Sequence, residues 1–260
     1  MTRSSADGMK VTVLGCSGSV PGPDSPASGY LVEADGYKLV LDLGHGTFGA
    51  LQRYVDPAEV DAVVISHLHA DHCIDLTAYV VALRYGGEGY RLRGPDRRIP
   101  LVGVPGTRDR LEAAYDPLAR KLGLHELFAF ATPTADELGP FRMSYAQVAH
   151  PTPTNAVRIE WQDRSLVYSG DTGACPALVE LAEGADVLLC EASVAPDEDL
   201  VPDLHMTGRQ AGEHAEKAGV ERLIVTHVPP WNSPQVAADE AAAAFGGPVE
   251  IAAPAAEYWI

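Results

Sequence analysis

The stretch "VVISHLHADHCIDL", residues 63–76, decides how this chain is read. Its apolar run, Val63-Val64-Ile65, ends abruptly in His67, His69, Asp71 and His72, in a chain with only nine histidines. In an extended segment, residues two apart point to the same side, so His67 and His69 can reach one cation. Asp71 and His72 come after the turn, at the start of the next helix, and face a different point. Imidazoles and an acid gathered without a cation would be costly unpaired polar groups. This donor mix suits zinc, with manganese or iron as alternatives.

Working outward, the same arrangement recurs. "LVLDLG" carries Asp42 at a strand tip, "FRMSYAQVAH" alternates like a strand and ends on His150, "SLVYSGD" ends on Asp171, and "ERLIVTH" ends on His227. Strand tips in a layered fold converge on one edge, so residues far apart in the chain can meet there. The loop at 67–72 therefore offers ligands for two metals. His150 could complete the first shell and His227 the second, and the two oxygens of Asp171 could bridge.

The rest of the chain supplies the frame. "KVTVLG", "YLVEA" and "YKLVLDLG" read as strands, the last two joined by an Asp-Gly turn. Helices are expected over "CIDLTAYVVALRYG", "TRDRLEAAYDPLARKLG" (107–123), "CPALVELAEG", "MTGRQAGEHAEKAG" and "SPQVAADEAAAAFGG". Strands lead and helices follow in each half. The economical reading is a disordered tail at 1–9 and a single α/β domain at 10–260.

With 46% hydrophobic residues, the 260-residue chain can build a sizeable core. A formal net charge of −17 repels polyphosphate at long range and disfavours a nucleic-acid partner. Four cysteines without a C-x-x-C pair read as reduced thiols of a cytosolic protein. The N-terminal stretch has no apolar h-region, and no run of 18 apolar residues occurs. A cytoplasmic location without membrane contact is expected.

"SHLHADH" resembles the H-x-H-x-D-H signature of the metallo-β-lactamase fold, and Asp42, His150, "SGDTG" and "THVPP" follow in that family's order. The resemblance spans about residues 10 to 254. It implies a four-layer αββα sandwich with two divalent metal ions at one edge. His67, His69 and His150 would hold one metal and Asp71, His72 and His227 the other, with Asp171 bridging. Asp42 would accept a hydrogen bond from a ligand histidine. The opening "VTVLGCSGSVPGPDSPASGYLVE" and the later "LHMTGRQAGEHA" look like the ribonuclease Z and phosphodiesterase branch, in which the residue matching His205 lies near the leaving group. Asp71 and His205 are the residues expected to act in catalysis.

Ribonuclease Z carries a long arm for tRNA between the third histidine motif and the bridging aspartate; here only two strands and a turn fit between His150 and Asp171. With "LCEAS", the whole looks closest to a group related to cyclic-nucleotide phosphodiesterases. The expected substrate is a small phosphodiester, cyclic AMP first, hydrolysed by water activated between the metals. A tRNA 3′-processing nuclease and a thioester or lactone hydrolase are the alternatives, and a homodimer is expected by family analogy alone. Ser17, Ser19 and Asn155 are candidate substrate contacts, with Ser28, Thr152 and Thr154 nearby. Glu191 would orient a neighbour, His45 could lie behind the ligands, and His125 and His214 read as surface residues. Arg84, Arg91, Arg93, Arg97 and Arg98 form a basic island that could overhang the site.

Overall fold

A computed structural model describes residues 8–92, 94, 96–116, 123–134 and 136–260. Residues 1–7, Arg93 and the later part of the helix expected over 107–123 lie outside these. Of the disordered tail expected over 1–9, the part up to residue 7 lies outside the described residues, whereas Met9 is fully buried in the core between the sheets.

Fourteen strands are described. They are β1 (Lys10–Gly15), β2 (Gly29–Ala34), β3 (Tyr37–Leu41), β4 (Ala62–Ile65), β5 (Ile99–Gly103), β6 (Phe128–Ala131) and β7 (Glu137–Leu138), then β8 (Phe141–Gln147), β9 (Asn155–Trp161), β10 (Arg164–Tyr168), β11 (Val187–Glu191), β12 (Arg222–Thr226), β13 (Val249–Ile251) and β14 (Glu257–Trp259). They build two sheets, ordered β14-β1-β2-β3-β4-β5-β6 and β13-β12-β11-β10-β9-β8-β7. The helices are α1 (Thr47–Leu51), α2 (Ala70–Cys73), α3 (Leu76–Tyr85), α4 (Thr107–Tyr115), α5 (Pro176–Ala182), α6 (Gly208–Ala218) and α7 (Pro234–Ala242).

Strict alternation explains the layering. In β4, Ala62 and Val64 face the other sheet, while Val63 and Ile65 face α3. In β11, Val187 and Leu189 face inward, and Leu188 and Cys190 pack outward with α5 and α6. Successive strand residues point to opposite faces. A strand apolar at every position is therefore covered on both sides, and a helix layer, two sheets and a second helix layer result. Tyr30 and Tyr168 join the sheets at the centre, with ring centroids 5.2 Å apart. The Asp35-Gly36 turn between β2 and β3 has φ of 50° and 78°, the left-handed pair that matches strand twist in a two-residue hairpin.

Strand direction places the site. β3 and β4 run parallel, as do β10, β11 and β12. β8 and β10 both run antiparallel to β9, so they share a direction. The strands that precede His67, His150, Asp171 and His227 therefore all deliver their C-terminal ends to one edge of the sandwich.

Candidate metal centre

The backbone turns sharply where each side chain must be aimed. Asp42 and His227 both lie in the left-handed region, with φ of 56° and 55°. That conformation is uncommon for residues other than glycine, Asn and Asp, and it collects at functional sites. Gly170, with φ of 58°, makes the same turn immediately before Asp171. Gly44 serves by size rather than conformation, since a Cβ there would overlap the Asp71 carbonyl oxygen. The loop after β3 thus lies directly against α2, and Leu43 N–H donates to the His72 carbonyl at 2.7 Å.

Two quartets result. Donor atoms of His67, His69, His150 and Asp171 lie within 4.8 Å of one another, and so do those of Asp71, His72, Asp171 and His227. A tetrahedral cation about 2.1 Å from each donor needs donors roughly 3.4 Å apart. The closest approaches match that figure. His72 Nε2 is 3.1 Å from Asp171 Oδ1, His227 Nε2 is 3.3 Å from Asp171 Oδ2, and His72 Nε2 is 3.4 Å from Asp71 Oδ2. His150 Nε2 faces His69 Nδ1 at 3.2 Å.

The far sides of the rings are held in place. His72 Nδ1 donates to Asp42 Oδ2 at 2.7 Å, and His227 Nδ1 lies 2.7 Å from Ser28 Oγ. His67 Nδ1 lies 3.1 Å from Ser66 Oγ, and His150 Nδ1 donates to the Leu204 carbonyl at 2.9 Å. With those nitrogens protonated, Nε2 of each ring carries a lone pair into the shared space. Nε2 of His67, His72 and His227 and Oδ1 of Asp171 are all buried without a hydrogen-bond partner. Orphaned buried polar atoms are expensive, and here they converge on one space. Oriented imidazoles and carboxylates with free lone pairs are what a divalent metal requires, so the residues present fit the metal.

Electrostatics agree. Burial drives His67 well below the usual imidazole range and also lowers His150, so both keep their lone pairs. Burial opposes charge on His72, but Asp171 and Asp42 outweigh it and raise the ring well above its ordinary value. A cation between His72 and Asp171 would take that proton's place. Burial likewise opposes charge on Asp71, yet His72 and His227 hold its carboxyl down at about 2.

A second layer lies beside the quartets. Glu191, fully buried at the end of β11, accepts from Thr172 N–H at 2.7 Å and from His205 Nδ1 at 2.8 Å. Burial works against the His205 cation, but Glu191 overrides it and lifts the ring to about 9. Thr207 caps α6 in a capping box with Gln210 and so fixes the chain two residues beyond His205. His205 faces the metal ligands, with its ring centroid 5.6 Å from His150 and 5.7 Å from His227.

Ser17 gives its hydroxyl to the Val20 carbonyl while its backbone pairs with Val228, next to His227, and Ser19 is exposed in a left-handed turn. Asn155 opens β9 with its N–H on the Ser66 carbonyl, one residue from His67. His214 is not a surface residue. It is 5% exposed, donates to the Gln210 carbonyl and accepts from Cys175 N–H. The basic island turns away in part: Arg97 contacts Val60 and Asp61, at the end of β4 opposite His67. Sequence reasoning passed over Ser66 and Tyr168, which donate to Asp42 Oδ2 at 2.7 and 2.8 Å.

The beta-lactamase superfamily domain matches residues 37–228. The uncharacterized protein Rv1339 of Mycobacterium tuberculosis is 46% identical over 247 residues, covering 93% of this chain and 88% of its own length. The probable metallo-hydrolase YhfI of Bacillus subtilis is 30% identical, covering 94% of this chain and 97% of its own. Its crystal structure superimposes with a TM-score of 0.83 over 97% of this chain and all of that one, at 29% identity. A ribonuclease Z of Halorubrum lacusprofundi is 30% identical, covering 92% and 93% of the two chains. That alignment needs 301 positions for 92% of a 260-residue chain, so dozens of its positions have no counterpart here. Domain match, fold and relatives agree: the chain belongs to the beta-lactamase superfamily, as a metal-dependent hydrolase of its ribonuclease Z-like branch.

Proposed function

We propose that this protein hydrolyses a small phosphodiester, cyclic AMP being the specific candidate, with two divalent cations held by the two quartets, zinc first. The observation that carries this reading is the pair of donor quartets sharing one carboxylate, Asp171. When bound, the metals would neutralise charge on the phosphoryl oxygens and lower the pKa of an attacking water. His67, His69 and His150 would orient one cation, and Asp71, His72 and His227 the other. His205, kept protonated by Glu191 at neutral pH, stands beside both quartets and can give its proton to the departing alkoxide oxygen.

The short interval between His150 and Asp171 supports a small substrate. β9 and β10 form a hairpin whose turn is only Gln162-Asp163, which leaves no room for an arm to grip tRNA. A net charge of −17 also opposes a polyanionic partner. The ribonuclease Z relative makes tRNA processing the competing reading.

The test is a turnover screen on one zinc-loaded preparation, against cyclic AMP, cyclic GMP, bis-p-nitrophenyl phosphate, a lactone, a thioester and a tRNA precursor. Turnover of the cyclic nucleotides and the nitrophenyl diester is expected. Cleavage of the tRNA precursor or the lactone, with cyclic nucleotides untouched, would sink the proposal.

A further inference from the structure

A cavity of about 600 Å³, within the range of small-molecule sites, lies near the metal centre, and no metal ligand lines it. The loop after β1 contributes Pro21, Pro23 and Asp24 to its lining. The segment from His45 through α1 contributes His45, Gly49, Arg53 and Tyr54. Two backbone bonds join these segments beside the centre: Ala27 N–H donates to the His45 carbonyl at 2.9 Å, and Gly44 N–H to the Ser28 carbonyl at 3.0 Å. His45 was expected behind the metal ligands, but among the described residues its side chain hydrogen-bonds to none of them, and its Nδ1 is buried without a partner. A nitrogen with no acceptor to donate to keeps its lone pair, so Nε2 carries the proton and is the donor. The Arg53 guanidinium is exposed, with neither a hydrogen bond nor an ion pair among the described residues. Tyr54 is half-buried and Asp24 exposed. Gly49 borders open space, since a Cβ there would meet nothing within 4 Å.

We propose that this cavity is a second binding site, separate from the metal centre, and that it takes a nucleoside monophosphate. Each part of that ligand has a counterpart in the lining. Arg53 and His45 donate to the phosphate, and hydrogen bonds between a guanidinium and a phosphate are among the strong ones. The Tyr54 ring and the faces of Pro21 and Pro23 cover the base; stacking on an aromatic ring suits any base, because every base has a π-face. The Asp24 carboxylate accepts from the sugar hydroxyls. In a chain of net charge −17, an anion is held only where a cation is free to meet it, and Arg53 is such a cation. The inference depends on neither the metals nor the substrate.

The test is equilibrium dialysis of the zinc-loaded whole chain against labelled adenosine 5′-monophosphate, counting equivalents bound per chain. Inorganic phosphate and adenosine are dialysed separately, and each should bind at least roughly 10-fold more weakly than the nucleotide that joins them. Gly49→Phe fills the open space and should abolish one equivalent of nucleotide. Arg53→Ala should weaken the same equivalent by roughly 10- to 100-fold, the effect of losing a hydrogen bond to a charged group. Both variants should keep the zinc content of the wild type, which shows that they fold. Asp171→Ala, or His67→Ala should that chain fold poorly, should retain the equivalent that Gly49→Phe loses. Absence of saturable nucleotide binding in the wild type would overturn the proposal. So would full binding in Gly49→Phe, or loss of all binding in a folded Asp171→Ala chain, which would place the nucleotide at the metals instead. Phosphate binding as tightly as the nucleotide would also overturn it, by reducing the site to one for a bare anion.

Discussion

Asp42 and Asp186 are held by the same clamp at opposite ends of the sandwich. Each accepts from the amide and the hydroxyl of one serine: Ser66 for Asp42, and Ser165 for Asp186 at 2.8 Å each. They differ in the next partner. Asp186 meets Arg164 Nη1 at 2.7 Å, and Asp42 meets His72 Nδ1 at 2.7 Å. Arginine ends the chain of interactions, because it is a permanent cation with donors only. Histidine passes it on, because fixing one ring nitrogen leaves a lone pair on the other. The arginine-paired carboxylate stabilises the start of β11. The histidine-paired one reaches the site where the strands end.

Asp171→Ala removes the carboxylate common to both quartets. Activity on bis-p-nitrophenyl phosphate should fall by at least roughly 1,000-fold, the several kcal/mol that metals supply by stabilising transition-state charge. His205→Ala should slow hydrolysis of a diester with an alkoxide leaving group by about 100- to 10,000-fold. It should slow the nitrophenyl diester much less, because nitrophenolate departs without a proton; equal slowing would remove His205 from the acid role.

The contrast itself is tested by making the same substitution at both ends. Asp42→Asn should lower kcat/KM by roughly 10- to 100-fold at limiting zinc. Asp186→Asn should leave kcat unchanged and cost about 1–2 kcal/mol in denaturant unfolding, after allowance for solvent screening. If Asp186→Asn impaired turnover in the folded enzyme, the division between the two ends would fail.

The smallest effect is in pH. Burial opposes the Asp186 charge, but Ser165 and Arg164 prevail and lower its pKa from the ordinary 3.8. A carboxyl whose pKa is depressed in the folded chain contributes stability in full above the unfolded value and loses it as pH falls through the folded one. The Tm gap between wild type and Asp186→Asn should therefore narrow as pH is lowered below about 4. A gap that stayed constant would show that the charge contributes nothing.

Much of the centre was legible because its ligands stand at strand tips. His67, His150, Asp171 and His227 each close an alternating or apolar run, and alternation is a local signal. The supports were less visible. Tyr168 lies 126 residues from Asp42, and within "SLVYSGD" it reads simply as a core residue of a buried strand. Ser66 sits inside the decisive stretch, but its partner is 24 residues earlier, just past the end of another strand. His214 did carry a signal: with Ala211, Ala215 and Ala218 it follows the helical spacing of a buried face, all four being buried in α6. The strands β7, β13 and β14 have only two or three residues each, too few to show alternation.

The turn at Gln162-Asp163 has a practical consequence. It closes the hairpin at the end of β9 and β10 remote from Asp171, and Gln162 already takes a left-handed φ of 54°. A fluorophore, an affinity tag or a surface tether placed there would be separated from the reacting groups by the full length of the hairpin. That makes it a place to attach the enzyme to a sensor without blunting its turnover.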